Sequence, residues 1–266
     1  MSIHGGSGTA VVTGASGGIG LEIARELALR GYPLVLAARS QARMEGVAQE
    51  LSKAHGVRVQ ALVADLSRPE GARDLWAAIS ERGIEPEILV NNAGVGLHGP
   101  YATADESALL GLLQLNVTSL ALLARLALPG MVARRRGRLL NVASTAAFVP
   151  GPFMAAYYAS KAFVLSLSVA LNEELRGTGV TATALCPGAT QSSFAEVAGM
   201  SRSRLFRSGV MGPGPVARAG VAGLLAGRSV VVPGFRNKAL TWSSAIGPRW
   251  LTAKVTRSLQ DPRDMA

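Results

Sequence analysis

Cysteine is almost absent from this sequence. The only cysteine among the 266 residues is Cys186, and one thiol cannot form a disulfide within the chain. It follows the apolar run Thr183-Ala184-Leu185, which favours a buried, inert thiol over a nucleophile. These features exclude a disulfide-stabilised secreted domain, and we expect a protein of the reducing cytoplasm.

Histidines and acidic side chains are also few. The chain has 3 histidines and 17 acidic residues, and they form no cluster with the spacing of metal ligands, so we expect no metal site. Residues 1–8 lack the basic start and apolar core of a signal peptide. The net charge is +10, but the cations are dispersed and no aromatic residues lie between them, which argues against a nucleic-acid partner.

Only one apolar run is long enough to suggest a membrane span. Residues 107–128 contain Arg125 as their single charge, a pattern that meets the hydropathy criterion for a transmembrane helix. The run nevertheless includes polar residues and lies between two strand-like segments. We expect a central helix that packs on a sheet and, in an oligomer, on a second subunit.

What the sequence does contain is a regular alternation of short apolar runs with helical patterns. Runs such as Val35-Leu36-Ala37 carry no charge, as expected of strands buried on both faces. About seven repeats predict an α/β fold, a single-domain doubly wound (Rossmann) parallel sheet of about seven strands with helices on both faces. Ligands of such sheets bind at the carboxyl ends of the strands. Polar or turn-forming residues follow or close several runs: Arg39, Asp65, Asn91, Ser144 and Pro187-Gly188.

The segment from Thr13 to Gly20 lies where the first strand must become a helix. Its glycines, Gly14, Gly18 and Gly20, permit positive φ angles and close approach of a ligand. The free N–H groups at the helix start attract an anion such as a pyrophosphate. Their spacing differs from Gly-x-Gly-x-x-Gly, so this turn alone is weak evidence.

Tyr157 and Lys161 lie four residues apart on a predicted helix. This spacing places both side chains on one face, where an ammonium group favours the phenolate form of a tyrosine. Tyr158 is three residues from Lys161 and is expected mainly to pack. Taken alone, a tyrosine and a lysine at this spacing on a helix are surface or packing residues more often than catalytic ones.

Together these motifs resemble the short-chain dehydrogenase/reductase family in order and spacing across residues 9–190. The motifs are Thr13 to Gly20, Asp65-Leu66, Asn91-Asn92-Ala93-Gly94, Asn116, Ser144, Tyr157 with Lys161, and Pro187-Gly188. Three further runs are similar to a broad bacterial, NADP-dependent branch whose substrates are rarely assigned: Leu36 to Ser40, Tyr157 to Lys161 and Val231 to Gly234.

The resemblance implies a catalytic role for four side chains. Tyr157 would protonate a carbonyl oxygen, or deprotonate an alcohol in reverse, and Ser144 would hydrogen-bond that oxygen. Lys161 would hold the nicotinamide ribose and lower the pKa of Tyr157. Asn116 would position a water that relays protons to Lys161.

The resemblance also implies a set of cofactor contacts. Asp65 would face the adenine, and Asn91 would help to hold the cofactor. Whether Thr190 or Ser192 contacts it is left open, because the family's Pro-Gly-x3-Thr pattern has a serine at its last position here. The predicted contacts are Gly14, Ser16, Gly17, Gly18, Ile19, Gly20, Arg39, Asp65, Leu66, Asn92, Ala93, Gly94, Tyr157, Lys161, Pro187, Gly188 and Thr190.

Arg39 favours NADP(H) over NAD(H). A carboxylate after the second strand would accept the ribose hydroxyls of NAD and repel a 2′-phosphate. This sequence has Ala38-Arg39 there, and a guanidinium group can bind a phosphate through two hydrogen bonds. The alternative is that Arg39 is merely exposed to solvent.

These observations predict an NADPH-dependent oxidoreductase that transfers a hydride between nicotinamide and the carbonyl or alcohol of a small apolar substrate. Residues 189–212 mix apolar and basic side chains and are too long for an ordinary connection, so we expect a substrate lid. The alternative function is a catalytically silent NADP-binding sensor or interaction protein.

The last segment differs from the rest in composition. We divide the chain into a catalytic domain, 1–234, and a basic amphipathic extension, 235–266. The extension mixes tryptophans and aliphatic residues with cations. We expect it to pack on a neighbouring subunit of a homodimer or homotetramer, with peripheral membrane contact as the alternative.

Overall fold

The computed structural model describes residues 8–191, 194, 210–246 and 248–260. Ser192 and Arg263, and most of the expected lid and the last six residues of the extension, therefore lie outside the described residues.

The described chain forms one parallel sheet of seven strands, in the order β3-β2-β1-β4-β5-β6-β7. The predicted fold class is confirmed. The chain order reverses between β1 and its two neighbours β2 and β4, which is where such sheets bind ligands. The strands are β1 (Thr9–Thr13), β2 (Leu34–Ala38), β3 (Val59–Val63), β4 (Pro86–Asn91), β5 (Gly137–Val142), β6 (Val180–Leu185) and β7 (Val230–Val231).

Helices cover both faces of this sheet. The elements are α1 (Gly18–Leu29), α2 (Gln41–His55), α3 (Gly71–Ser80), α4 (Glu106–Leu113), α5 (Leu120–Ala133), α6 (Ala155–Glu174), α7 (Pro213–Leu225), α8 (Phe235–Ile246) and α9 (Arg249–Gln260). A π-helical turn, Gln114–Ser119, joins α4 to α5, and short 3-10 turns cover Tyr101–Thr103 and Thr145–Phe148.

Alternating side chains of the inner strands are buried in two separate cores, one on each face of the sheet. Along β1, Ala10 and Val12 are buried with residues of α1, α2 and α7. Val11 points the other way and is buried with α3 and α5. This two-residue period explains why the inner strands carry no charge, because each of their faces is covered by helices.

The long apolar run forms the helix from Glu106 to Ala133. By length and composition alone it could cross a membrane, and one third of its most apolar window is buried in this structure. Its second half packs against the sheet as expected, with Leu123, Ala127 and Met131 in the core. Its first half leaves Leu110 exposed, and this stretch leads into the π-helical turn beside the cleft.

Candidate active site

A cleft of about 1050 Å³ opens at the carboxyl ends of the strands. Its walls include the turn after β1, the ends of β2, β3, β4 and β5, and residues of α4, α6, α8 and α9. The cleft therefore lies at the reversal of strand order, where the sequence placed it.

The glycine-rich turn forms one wall of the cleft. Gly14 has a φ of +65°, and a Cβ there would lie 2.9 Å from the Ala93 Cα, so the turn requires glycine at this position. The Asn92 side chain fixes the turn from the next strand, donating to the carbonyl oxygens of Thr13 at 2.9 Å and Gly14 at 3.1 Å. The start of α1 is thereby held open towards the cleft, where Gly17 and Ile19 line it.

Two of the predicted cofactor contacts have clear structural roles. Gly20 is buried below the turn, where a Cβ would come within 2.4 Å of the Gly14 carbonyl oxygen, and it is not among the residues that line the cleft. The Asn91 side-chain amide donates to Asn141 Oδ1 at 2.9 Å. Their contact with a cofactor stays a prediction.

Charged residues gather at the far end of this wall. Arg39, exposed at the end of β2, and Asp65, after β3, both line the cleft. The Ser67 hydroxyl donates to Asp65 Oδ1 at 2.6 Å and its backbone N–H donates at 3.0 Å, and these bonds hold the pKa of the Asp65 carboxyl below its ordinary value. A permanent carboxylate thus lies opposite an arginine.

A second arginine at this end was not predicted. Arg43, in the first turn of α2, lines the cleft, and its Nε donates to the carbonyl oxygen of Ser16. Arg39 precedes the helix and Arg43 lies within it, so no helical spacing in the sequence relates the two, and only the fold brings both to the cleft. Two guanidinium groups therefore border the pocket next to the glycine-rich turn.

Asn116 lies in the π-helical turn and is fully buried. Its Oδ1 accepts from the Val95 N–H at 3.0 Å, and its Nδ2 donates to the Val95 carbonyl at 2.9 Å and to Ser160 Oγ at 3.1 Å. A Cβ on Gly94 would lie 3.2 Å from Asn116 Oδ1 and 3.4 Å from Lys161 Nζ, so the two side chains face the same glycine. π-Helical turns are frequent at functional sites, and the water relay stays a prediction.

Ser144 and Tyr157 meet in the centre of the cleft. Ser144 follows β5 and caps the next 3-10 turn, where its Oγ accepts from the Ala146 N–H at 3.1 Å. Tyr157 lies in the first turn of α6, buried against Phe194 with ring centroids 5.2 Å apart. The hydroxyls of Ser144 and Tyr157 are hydrogen-bonded, which brings together two groups that the sequence separates by 13 residues.

Lys161 lies one helical turn beyond Tyr157 and is buried. Its Nζ is 5.7 Å from the centre of the Tyr157 ring and donates to the Val142 carbonyl at 2.8 Å. Within the described part of the chain this carbonyl is its only hydrogen-bond partner. Burial lowers the pKa of Lys161 from 10.5 to about 8, and donors of the ammonium group are left for a ligand.

The pKa of Tyr157 differs from the expectation. Burial raises it well above its ordinary value, and the hydrogen bond with Ser144 lowers it only in part. Lys161 lies beside the ring and bonds a carbonyl oxygen, so its charge does not offset the loss of hydration. Tyr157 is therefore a protonated phenol in this structure, which is the form that donates a proton.

The segment after β6 closes the wall beside Ser144. The Thr145 N–H donates to the Pro187 carbonyl at 2.8 Å, and Gly188 packs so closely on Asn237 that a Cβ would lie 2.4 Å from its Oδ1. Thr190 is buried at the cleft, and its hydroxyl donates to the Gly188 carbonyl at 2.9 Å. The choice between Thr190 and Ser192 stays open, since Ser192 is outside the described residues.

The opposite end of the cleft is lined mainly by apolar side chains. They come from five separate parts of the chain: the segment after β4, helix α4, the segment before α6, the segment after β6, and α9. None of the described lining residues at this end is charged. The lining residues are Leu97, Ala108, Leu112, Val149, Met154, Phe194, Leu251, Val255 and Leu259.

Helix α9 folds over this apolar end and is fastened there by its last residue. The Gln260 side-chain amide donates to the Tyr158 hydroxyl, and the backbone carbonyl oxygen of Gln260 is 2.9 Å from His98 Nε2. Arg257 adds a contact over the Phe153 ring at 5.6 Å. Tyr158 packs on Gly151 as expected, but its hydrogen bond to the C-terminal helix had no signal in the sequence because 102 residues separate the partners.

The polar end of the cleft fits a dinucleotide. A glycine-lined approach to the start of α1 suits a pyrophosphate, the arginines and Asp65 suit a ribose phosphate and a base, and Lys161 offers donors for a ribose hydroxyl. The glycines keep side-chain carbon atoms away from the wall of the cleft, so the shape of this end and its hydrogen-bond donors both suit a dinucleotide.

Comparison with known proteins identifies the family. The family model described as short chain dehydrogenase matches residues 8–201. The chain belongs to the short-chain dehydrogenase/reductase family. Members of this family are oxidoreductases that act on CH–OH and C=O groups with nicotinamide cofactors.

Similar proteins of this family include reductases and dehydrogenases of bulky substrates. A very-long-chain 3-oxoacyl-CoA reductase of Anas platyrhynchos is 37% identical over 67% of this chain and 58% of its own length. The chain thus spans little more than half of that relative.

Two solved structures cover nearly the whole of their own chains. A short-chain dehydrogenase from Sphingobium yanoikuyae in complex with NADPH is 34% identical, with a TM-score of 0.80 over 89% of this chain and 93% of that one. The bulky-bulky ketone specific alcohol dehydrogenase from Comamonas testosteroni is 30% identical, with a TM-score of 0.76 over 89% and 91%.

Proposed function

We propose that this protein is an NADPH-dependent carbonyl reductase of apolar ketones or aldehydes. The observation that carries the proposal is the meeting of Ser144, Tyr157 and Lys161 between a polar end that fits a dinucleotide and an apolar end. A sensor would need the polar end, but it would need neither the proton-transfer groups nor the apolar end.

The proposed chemistry assigns one task to each side chain. A bound nicotinamide supplies the hydride. Tyr157, held protonated by burial, gives its proton to the carbonyl oxygen of the substrate, and Ser144 donates a hydrogen bond to the same oxygen as negative charge develops there. Lys161 holds a cofactor hydroxyl and stabilises negative charge that arises on Tyr157.

The preference for NADP(H) rests on the two arginines. Arg39 and Arg43 border the cleft beside the glycine-rich turn, and neither forms an ion pair with a residue that the structure describes. Free guanidinium groups at this place suit a 2′-phosphate. The NADPH complex of the Sphingobium relative supports the same choice.

The substrate class rests on the apolar lining. Nine apolar side chains surround the space beyond Ser144 and Tyr157, and an apolar group gains about 25 cal/mol for each Å² that it buries there. The substrates that the names of two relatives give, a very-long-chain acyl thioester and bulky ketones, are of this kind. We therefore propose a substrate with an extended or bulky hydrocarbon part.

The oligomer and compartment are part of the same proposal. We propose a homodimer or homotetramer in the cytoplasm, as the family resemblance implies, and light scattering of the purified protein measures the oligomer directly. Exposed apolar residues such as Leu110 and Phe163 on the helices support further contacts between copies.

The test is a screen of NADPH oxidation with ketones, aldehydes, steroids and quinones of increasing hydrocarbon size, with NADH as the paired cofactor. We expect kcat/KM to rise with apolar size and to favour NADPH. NADPH binding, followed by its fluorescence, is measured in parallel. Tight binding without turnover of any carbonyl would instead support the silent sensor.

A further inference from the structure

Helices α8 and α9 expose large aromatic side chains on the outside of the molecule. Phe235 is 85% exposed, Trp242 78% and Trp250 70%. Phe235, Ala239 and Trp242 follow the i, i+4, i+7 spacing of one helix face, and all three are exposed. We call these three residues and Trp250 the aromatic surface; within the described residues nothing packs over it.

The same two helices are strongly basic. From residue 235 to residue 260 the sequence contains five cations and no acidic residue. All five cations are exposed, and none forms an ion pair with a described residue. The cations are Arg236, Lys238, Arg249, Lys254 and Arg257.

The inner side of these helices borders the cleft. Leu240, Val255 and Leu259 line it, so their partial exposure includes the surface that faces the cleft. Phe235, Trp242 and Trp250 are not among the lining residues. The aromatic surface therefore has no role inside the active site, and its apolar area is left for an external partner.

The charge of this surface decides between the possible partners. Pairing it with the same surface of a second copy would bring two sets of five cations together, and within residues 235–260 neither copy has an acidic side chain to offset them, which is unfavourable. An anionic bilayer supplies the opposite charge, and tryptophan and phenylalanine are the side chains that insert at its interface. The structure thus reverses the preference for a subunit interface.

We propose that α8 and α9 dock the protein on an anionic lipid bilayer through the aromatic surface and the five surrounding cations. This docking would bring the apolar end of the cleft close to the membrane, since the same helices form its outer wall. The proposal extends beyond the reductase activity and does not depend on it.

The test is co-sedimentation of the full-length protein with vesicles of phosphatidylcholine alone or with about 30% phosphatidylglycerol, at low and high salt. We expect binding to the anionic vesicles, weakened by salt. The variant Phe235→Ser/Trp242→Ser/Trp250→Ser should lower the partition coefficient about tenfold or more. Because these side chains are exposed, the variant is expected to keep the wild-type circular dichroism spectrum.

A matched pair of charge variants separates docking from general attraction. Arg236→Glu/Lys238→Glu changes two cations of α8, whereas Arg73→Glu/Arg82→Glu makes the same net change within α3 and just after its end. We expect about tenfold weaker binding for the first variant and less than about twofold for the second.

Three outcomes would overturn the proposal: no binding of the wild type to anionic vesicles, equal losses in the two charge variants, or an aromatic variant that binds as well as the wild type. If the aromatic variant lost oligomer mass in light scattering while its vesicle binding was unchanged, the surface would be an interface between copies instead.

Discussion

The two ends of the cleft are built from different parts of the chain. The cofactor end is formed by strand ends and the turns that follow them, nearly all from residues 14 to 94, with charges and backbone groups facing the ligand. The substrate end takes its apolar walls from segments between residues 97 and 260. One end is encoded by short motifs, and the other by contacts between distant segments.

The cofactor end is therefore a general feature of this sheet topology, whereas the substrate end is specific to this chain. A glycine-rich turn and polar strand ends provide a dinucleotide site on any sheet of this topology. The apolar end depends on how α4, the segment before α6 and α9 pack together, so its shape varies with small changes in distant segments. Catalysis takes place where the two ends join, at Ser144, Tyr157 and Lys161.

Ser144→Ala tests the place where the two ends of the cleft join. We expect it to lower activity more than a substitution at either end. The loss of a hydrogen bond to the developing oxyanion should lower kcat about 10²–10³-fold without changing NADPH affinity. Because the substitution also removes the cap of the 3-10 turn, Ser144→Thr serves as the control and should recover much of the activity. Equal losses in both variants would assign the effect to packing.

Arg39→Asp changes the cofactor end alone. It replaces a phosphate partner with an acceptor for ribose hydroxyls, so the ratio of kcat/KM for NADPH to that for NADH should fall about 10²-fold or reverse. Arg43→Ala should lower the ratio less, because the Ser16 carbonyl already occupies its Nε. Arg73→Asp, on α3, is the control and should leave the ratio unchanged; an unchanged ratio in Arg39→Asp would remove this arginine from the site.

Lys161→Met tests the burial of charge at the junction through the pH dependence of stability. The folded pKa of about 8 lies below the ordinary 10.5, so between these values the unfolded chain binds more protons. The free energy of unfolding of the wild type, relative to Lys161→Met, should therefore rise with pH by up to about 1.4 kcal/mol per pH unit from pH 8 towards 10.5. Urea titrations from pH 7 to 10 measure this difference, wild type minus Lys161→Met, and a difference that falls as the pH rises would contradict the assignment.

Gln260→Leu tests the substrate end, where we expect the smallest effect. The buried Tyr158 hydroxyl would lose its partner, at a cost of about 1–2 kcal/mol to the closed position of α9. Hydrogen exchange of the α9 amides should speed up, and KM for an apolar substrate should rise a few fold with kcat nearly unchanged. Combining Gln260→Leu with Tyr158→Phe should cost less than the sum of the single losses; strict additivity would mean that the bond does not hold the helix.

Most of the fold and most of the cofactor end could be predicted from the sequence. Charge-free apolar runs mark strands covered on both faces, and polar residues after them mark the binding edge. Gly20 and Asn91 show the limit of a motif, because a residue that shapes the fold and one that contacts the ligand give the same sequence pattern. Only contacts in the folded structure, such as the hydrogen bond from Asn91 to Asn141, distinguish a role in shaping the fold from a role in binding the ligand.

The substrate end could not be predicted, for a physical reason. The bond from Gln260 to Tyr158 joins segments 102 residues apart, and no local pattern records which distant partner a helix will meet. The raised pKa of Tyr157 was missed for the same reason. Spacing shows that Lys161 is near, but burial, which dominates the pKa, depends on the whole fold around α6.

The most direct test of the proposed mechanism compares Tyr157→Phe with Tyr158→Phe. Both remove one hydroxyl from adjacent buried tyrosines, but only Tyr157 is hydrogen-bonded to Ser144, whereas Tyr158 bonds Gln260. With any accepted carbonyl substrate, we expect Tyr157→Phe to lower kcat by about 10²-fold or more, with NADPH binding near wild type. Tyr158→Phe should leave kcat largely intact. Full turnover by Tyr157→Phe would contradict the assignment of Tyr157 as the proton donor and the proposed mechanism with it.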